Sequence, residues 1–317
     1  MKTIFLTGLN GLLGTNICHE LLDSNFKVIG LLRNKKKYFG KIHSNLKIIE
    51  GDLFDDFKIQ FEKIDCIIHT AAITDQNILN YNTYKKINCN ASLHLIKCAI
   101  ESEVKQFIFV SSANTIQNNY CSKTDVYSFI SKSFYAKSKK EAENDLLQYK
   151  DKINITIINP TFMIGAYDSK PSSGKIILMG WKKKIVFYPP GGKNFIHVQD
   201  VSTQIVKLIN TGISGKKYLL ANKDLSYKEF YNLLNTVTQQ NPTMIQIPEF
   251  FLIALGYLGN ILRTFRIKSS LNSTNAKILC TKNYFSNNMS IMHLHLNLQS
   301  IDKAIIDAVD YYAKNKL

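Results

Sequence analysis

The chain has 317 residues, 45% of them hydrophobic and 20% charged, which excludes a disordered protein and leaves room for a full α/β core plus a smaller lobe. Its formal charge is +16, carried almost wholly by scattered lysines, with arginine only at 33, 263 and 266. This pattern argues against a nucleic-acid partner, because such readers cluster charge on one element and use arginine at base edges and phosphates.

The first predicted strand is the apolar run Ile4-Phe5-Leu6, which stops at Thr7-Gly8 and opens into an apolar-periodic helix through Leu12, Leu13, Ile17 and Leu21. Glycines at 8, 11 and 14 give a Gly-x-x-Gly-x-x-Gly turn rather than the commoner Gly-x-Gly-x-x-Gly. In such a turn one glycine permits the bend, one lets a diphosphate approach the backbone, and one lets the helix pack close to the strand. The helix start beyond them, at Leu12 and Leu13, offers N–H groups and a positive dipole end to an anion.

Strand signals recur at 27–32, 46–50, 66–69, 107–110 and 153–158, with helix-like patterns between them, notably 90–103 and 136–149. Strands alternating with helices predict right-handed crossovers and a doubly wound parallel sheet, with ligands along the carboxyl ends of its strands. At the end of the second strand stands Arg33 followed by Asn34 and Lys35-Lys36-Lys37, with no acidic residue to take a ribose hydroxyl. The basic group favours a 2'-phosphate, hence NADP over NAD; its plainer reading is a solvated loop. Asp52 after the third strand is placed to accept from an adenine amino group or to serve as a turn residue. Small residues at Ala71 and Ala72 let a flat ligand pass over the fourth strand tip, whereas His69 alone reads as a structural histidine.

The fifth strand ends in Val110-Ser111-Ser112-Ala113-Asn114, and a later helix opens on Tyr135-Ala136-Lys137-Ser138-Lys139. Tyr135 and Lys139 lie one turn apart on the same face. There the ammonium is expected to lower the tyrosine pKa and make it a general acid or base, with Ser112 holding the substrate oxygen. The same spacing occurs at Tyr81/Lys85 and Tyr312/Lys316; order decides, because only Tyr135/Lys139 follows a strand ending in Ser-Ser-Ala.

Taken together, Thr7-Gly8-x-x-Gly11-x-x-Gly14, Gly51-Asp52-Leu53, His69-x-Ala71-Ala72, Asn88, Ser111-Ser112-Ala113, Tyr135-x-x-x-Lys139 and Asn159-Pro160 resemble the extended short-chain dehydrogenase/reductase family, the NAD(P)-dependent epimerase/dehydratase group. The wording Asn159-Pro160-Thr161-Phe162-Met163-Ile164-Gly165 and the Arg33 tail are most similar to dihydroflavonol reductase-like members. The resemblance implies Tyr135 as catalytic acid/base, Lys139 as its partner and ribose ligand, and Ser112 as substrate-oxygen ligand. It implies cofactor contacts from Thr7, Gly8, Gly11, Leu12, Leu13, Gly14, Arg33, Asp52, Leu53, Ala71, Ala72, Asn88 and Pro160, and no metal. Dehydratases of the group need an Asp-Glu pair where Ala113-Asn114 stand, and nucleotide-sugar epimerases clamp their substrate with arginines that are scarce here.

The expected organisation is a Rossmann domain over 1–165 and a mostly helical substrate lobe over 166–317, with 194–221 packing back on the first. Ser226-Tyr227-Lys228-Glu229 reads as a capping box. The apolar run from Phe250 reads as a core helix lining an apolar pocket, because its apolar residues run all round. The other reading is a membrane-surface contact by 250–268 with basic flanks, since the run is too short to cross a bilayer. Six cysteines make no C-x-x-C pair, and Cys18, Cys66 and Cys98 lie in apolar segments, so reduced thiols in the cytoplasm are expected, with no leader before the first strand. The reading is an oxidoreductase moving hydride between NADP and a carbonyl or hydroxyl of a small, fairly apolar substrate. A nucleotide-sugar epimerase and a non-catalytic NADP-binding protein are the alternatives, and a homodimer is left open.

Overall fold

The computed structural model describes residues 1–57, 64–75, 78, 80–116, 133–211, 213–265, 272–286 and 297–315. The chain opens with β1 (Thr3–Thr7), α1 (Leu12–Asp23), β2 (Lys27–Leu32), β3 (Leu46–Glu50) and β4 (Cys66–His69), at or within a residue of the bounds that the apolar runs predict. A helical rod follows, made of α2 (Tyr81–Tyr84), a π-helical stretch Lys85–Asn90 and α3 (Ala91–Glu101). It starts well before the expected residue 90 because Asn80 caps it by accepting from the Asn82 amide, and its polar first turns carry no apolar stripe. β5 (Gln106–Val110), α4 (Phe134–Leu147) and β6 (Asn154–Pro160) complete this part, with Ser133 capping α4.

The chain continues through β7 (Phe162–Ile164), α5 (Lys175–Leu178), β8 (Ile185–Tyr188), β9 (Gly192–His197), α6 (Val198–Thr211) and β10 (Lys217–Leu220). It ends with β11 (Lys223–Ser226), α7 (Tyr227–Thr238), β12 (Thr243–Gln246), α8 (Glu249–Thr264), α9 (Ser273–Cys280), β13 (Lys282–Asn283) and α10 (Ile301–Asn315).

The main sheet has seven strands in the order β10-β6-β5-β4-β1-β2-β3, every pair parallel. Its strands are apolar on both faces, as parallel strands covered by helices must be. Ile4, Leu6, Ile68 and Ile108 pack with Ile17, Leu21, Val201 and Ile205 of α1 and α6. The alternate residues Phe5, Ile67, Phe107 and Phe109 pack with Leu95, Ile96, Ala142 and Leu146 of α3 and α4. Each fully buried side chain of this size contributes about 2 kcal/mol.

A second core joins Phe195 of β9, Phe230 and Leu234 of α7 and Ile305 and Tyr312 of α10, with the Phe195 and Phe230 rings stacked at 4.6 Å. The capping box at Ser226 and Glu229 closes in both directions at the start of α7. This part also holds two small sheets, β11-β9-β13 with β7 beside β9, and β8-β12, whose strands are too short to announce themselves by alternation.

The expectation for the apolar run 250–262 needs correction. Of α8 only Leu252, Gly256 and Gly259 are buried, and its large apolar residues point outward. Apolar residues run all round because one arc packs on α9 and the other faces out. No helix among the described residues is long and apolar enough to cross a membrane.

Candidate active site

The glycine turn lies where β1 hands over to α1. Gly8 has φ +73°, and a Cβ there would come within 2.4 Å of Thr70 Oγ1 and 2.8 Å of the Ala71 amide. At Gly14 a Cβ would fall 2.1 Å from the Gly8 carbonyl oxygen, so the close seat of helix on strand requires that glycine as well. Gly11 differs: its Cβ would meet only the Gly8 oxygen at 3.3 Å, and the residue is exposed. It is also the N-cap of α1, with no side chain capping the helix. An uncapped helix start behind an unobstructed backbone fits the diphosphate of a dinucleotide, to which the amides of Leu12 and Leu13 belong.

Behind the turn a buried hydrogen-bond chain joins the strand tips. The Ala71 amide donates to Thr7 Oγ1 at 3.2 Å, and Thr7 Oγ1 meets His69 Nδ1 at 2.7 Å. His69 Nε2 meets Ser92 Oγ at 3.0 Å, and Ser92 donates to the Asn88 carbonyl at 2.8 Å. Because Ser92 spends its proton on the Asn88 carbonyl, it accepts from His69 Nε2, which leaves Nδ1 to accept from the Thr7 hydroxyl. Burial, reinforced by Lys139, pushes the His69 pKa down to about 3, so the ring is neutral and structural, as read from sequence. The Asn88 amide is fully used: Oδ1 accepts from the Ile73 amide at 2.8 Å, and Nδ2 donates to the Ile73 carbonyl and Ser138 Oγ. Asn88 thus braces the loop after β4 against α4.

Ser112 lies two residues past β5, caps a short turn at Ala113–Thr115, and stands close enough to Tyr135 in the first turn of α4 to favour its phenolate. Burial pushes the Tyr135 pKa up to about 12, opposed by Ser112. Lys139, 1% exposed, places its Nζ 3.9 Å from the Phe109 ring centroid. Burial drags its pKa down to about 7, with Glu143 and Cys89 opposing. The expected lowering of Tyr135 by Lys139 is therefore not found. The tyrosine is raised, the group that counters burial is Ser112, and the lysine head sits over the Phe109 ring.

Glu143 is the residue sequence reasoning missed. It is wholly buried on α4, accepts from Ser111, Thr115 and Asn159, and pairs with Lys217 Nζ at 2.5 Å. Burial alone would raise its pKa, yet Lys217 and the hydroxyl donors outweigh burial and hold it below the ordinary carboxylate value. Asn159 also donates to the Ser112 carbonyl at 3.1 Å, so this carboxylate anchors the strand end that carries Ser112. The available signal was spacing, since Tyr135, Lys139 and Glu143 recur every fourth residue on one face.

The remaining candidates spread along the strand ends. Arg33 is exposed beyond β2, next to a turn at Lys35–Lys37 capped by Asn34. An acid does approach this place from the neighbouring strand, since Glu50 of β3 accepts from the Lys35 amide at 2.8 Å. Asp52 is exposed and accepts from the Phe54 amide at 3.1 Å, an ordinary turn role, while Leu53 packs on the core beneath. Ala71 and Ala72 are half-buried in the loop that Asn88 holds, and Pro160 is buried at the end of β6 opposite Leu220 of β10. The Asn114 side chain accepts from Asn283 of β13 at 2.9 Å. Arg266 and Lys268 lie outside the described residues.

Tyr135, with Ser133 and Phe134, forms one wall of a cavity of about 390 Å³ whose other wall is Asn260 and Arg263 of α8 and Asn272 to Asn275 around the start of α9. That wall is polar, because the apolar residues of α8 turn away from the cavity and its amide and guanidinium groups turn toward it, while Ile78, Tyr84 and Phe134 line the rest with apolar surface, so the expectation fails only for α8 as the apolar lining.

A seven-stranded parallel sheet, a glycine turn at its first strand and a Ser-Tyr-Lys group at its carboxyl ends define a Rossmann-type dinucleotide-binding fold. The chain belongs to the NAD dependent epimerase/dehydratase family, whose model matches residues 4–221. It is similar to a Synechocystis protein provisionally named a dihydroflavonol 4-reductase, 23% identical, with 97% of this chain and 94% of that protein covered. It is similar also to the decarboxylating sterol-4-alpha-carboxylate 3-dehydrogenase of Candida albicans, 23% identical over 90% of this chain and 89% of that one. Among solved structures, the Bordetella bronchiseptica enzyme WbmH in complex with NAD+ superposes with a TM-score of 0.75 at 17% identity, covering 100% of both chains.

Proposed function

We propose that the protein is an NADP-preferring reductase that converts a substrate carbonyl to an alcohol. The observation that carries the proposal is the closeness of Ser112 to Tyr135 at the carboxyl end of the sheet, with Tyr135 on the wall of a cavity. When bound, the nicotinamide supplies the hydride that reaches the carbonyl carbon. Ser112 holds the carbonyl oxygen and Tyr135 gives that oxygen its proton, so hydride and proton together make the alcohol. Raised by burial, Tyr135 is protonated at neutral pH and enters the step as the proton donor. Lys139, one turn away on the same face of α4, is taken as the ligand of the cofactor's ribose. The exposed Arg33 and Lys35 to Lys37 support a 2'-phosphate. In this reading residues 1–165 hold the cofactor and 166–317 the substrate, with 194–221 packed back on the first. The polar cavity wall asks for a substrate that carries hydrogen-bonding groups beside its carbonyl.

One observation favours a second reading, a nucleotide-sugar epimerase: Arg263 lines the cavity and is suited to an anionic group. Titration with NADPH and NADH, followed by nicotinamide fluorescence, should show NADPH bound about tenfold more tightly. Binding of neither would overturn both readings. Screening carbonyl compounds against nucleotide sugars then separates them, since only the reductase consumes NADPH stoichiometrically.

A further inference from the structure

The apolar face of α8 calls for a partner. Phe250, 75% exposed, and Phe251, Tyr257, Leu258 and Ile261 all point outward. At about 100° per residue these outward apolar positions cover an arc of roughly 120°, the width a soluble helix keeps for its buried side. The helix is not loosely seated. A Cβ at Gly256 would come within 2.8 Å of the Ala276 Cβ on α9, so the inward arc is packed as closely as backbones allow.

A second exposed apolar patch lies on the small sheet that leads into α8. Phe187 of β8 and Ile245 of β12 are register partners and therefore share one side, together with Ile185, and all three are exposed. β12 runs into α8 within a few residues, through Ile247 and Pro248. Directly before Ile185 stand Lys182, Lys183 and Lys184, all exposed, with Lys182 Nζ 4.2 Å from the ring of Trp181, the only tryptophan in the chain. Across 179–187 and 243–265 the chain carries a single acid, Glu249, against these three lysines, Arg263 being turned to the cavity.

We propose that this face docks on an anionic lipid bilayer, with α8 lying in the interface plane and Lys182 to Lys184 on the headgroups. Charge decides the occupant. Apolar side chains beside exposed lysines complement a surface that is apolar inside and negative outside. A second copy would instead set +16 against +16 and triple lysine against triple lysine. The proposal does not depend on the reaction.

The experiment is co-sedimentation of the full chain with vesicles of phosphatidylcholine alone and of equal parts phosphatidylcholine and phosphatidylglycerol. Binding is expected to the anionic vesicles and to fall as salt is added. Replacing Lys182, Lys183 and Lys184 together by glutamine should weaken it about a hundredfold, at about 1 kcal/mol per lysine. The triple change Phe250→Ser, Leu258→Ser and Ile261→Ser should weaken it more than about tenfold and leave the melting temperature in place, since these side chains lie outside the core. Absence of binding to anionic vesicles would overturn the proposal, as would binding that neither variant changes. A dimer in light scattering that the serine variant makes monomeric would overturn it as well, assigning the face to a second copy.

Discussion

α4 and α8 both invert the usual rule for helices, in opposite directions. α4 turns Lys139 and Glu143 inward, each almost fully buried, while α8 turns phenylalanine, leucine and isoleucine outward. The buried charges of α4 are answered inside the molecule: Glu143 by Lys217, Asn159 and two hydroxyls, Lys139 by the Phe109 ring and the field of Glu143. The exposed surface of α8 has no such answer among the described residues. An inversion satisfied from within marks a site where chemistry is held in place, and one left unsatisfied marks a surface meant for something outside the chain.

The comparison breaks if α4 proves to be only a structural helix. Tyr135→Phe should lower kcat by about a thousandfold while NADPH still binds, measured by steady-state turnover and fluorescence titration. Glu143→Gln should cost about 3 kcal/mol in urea unfolding, because it leaves Lys217 without its buried partner. Since the folded Glu143 lies below its ordinary value of 4.5, its contribution is present above that pH and is lost as pH falls through the lowered folded value. The glutamine variant should lose that acid-dependent part of the unfolding curve. Lys139→Met should stabilise the cofactor-free protein by about 2 kcal/mol while removing activity. Here the sign is reversed, because the folded lysine titrates at about 7 against an ordinary 10.5. Its cost is absent above about 10.5, grows as pH falls toward 7 and is constant below, so the gain in the variant should follow the same course. On α8, Phe250→Ser alone should change stability by less than about 0.5 kcal/mol, which a thermal melt would check.

The sheet was legible because a strand buried on both faces is a short unbroken apolar run, and β2, β3 and β4 stop where such runs meet polar residues or glycine. The order of Ser112, Tyr135 and Lys139 along the chain was legible for the same reason, since parallel topology places successive strand ends side by side. Long-range electrostatics was not. Glu143 owes its burial to Lys217, 74 residues away, and nothing local to either residue signals the pair. The direction of the Tyr135 shift was hidden too: spacing puts the lysine on the right face but does not show that its head lies over Phe109. For α8, a uniformly apolar sequence carries no information about which arc meets solvent, and that was settled by Gly256, whose small size lets α9 approach on one side alone.

The brace formed by Asn88 reaches further than its own residues. It ties the loop after β4 to α4 and, through Ser92, His69 and Thr7, to the strand tip beside the glycine turn. The floor on which a dinucleotide would rest and the helix that carries Tyr135 are therefore one solid piece before any ligand arrives. The Ile73 amide, though in a loop, should exchange its hydrogen with solvent only at the rate of global unfolding. Little reordering then stands between binding and reaction in this half of the site.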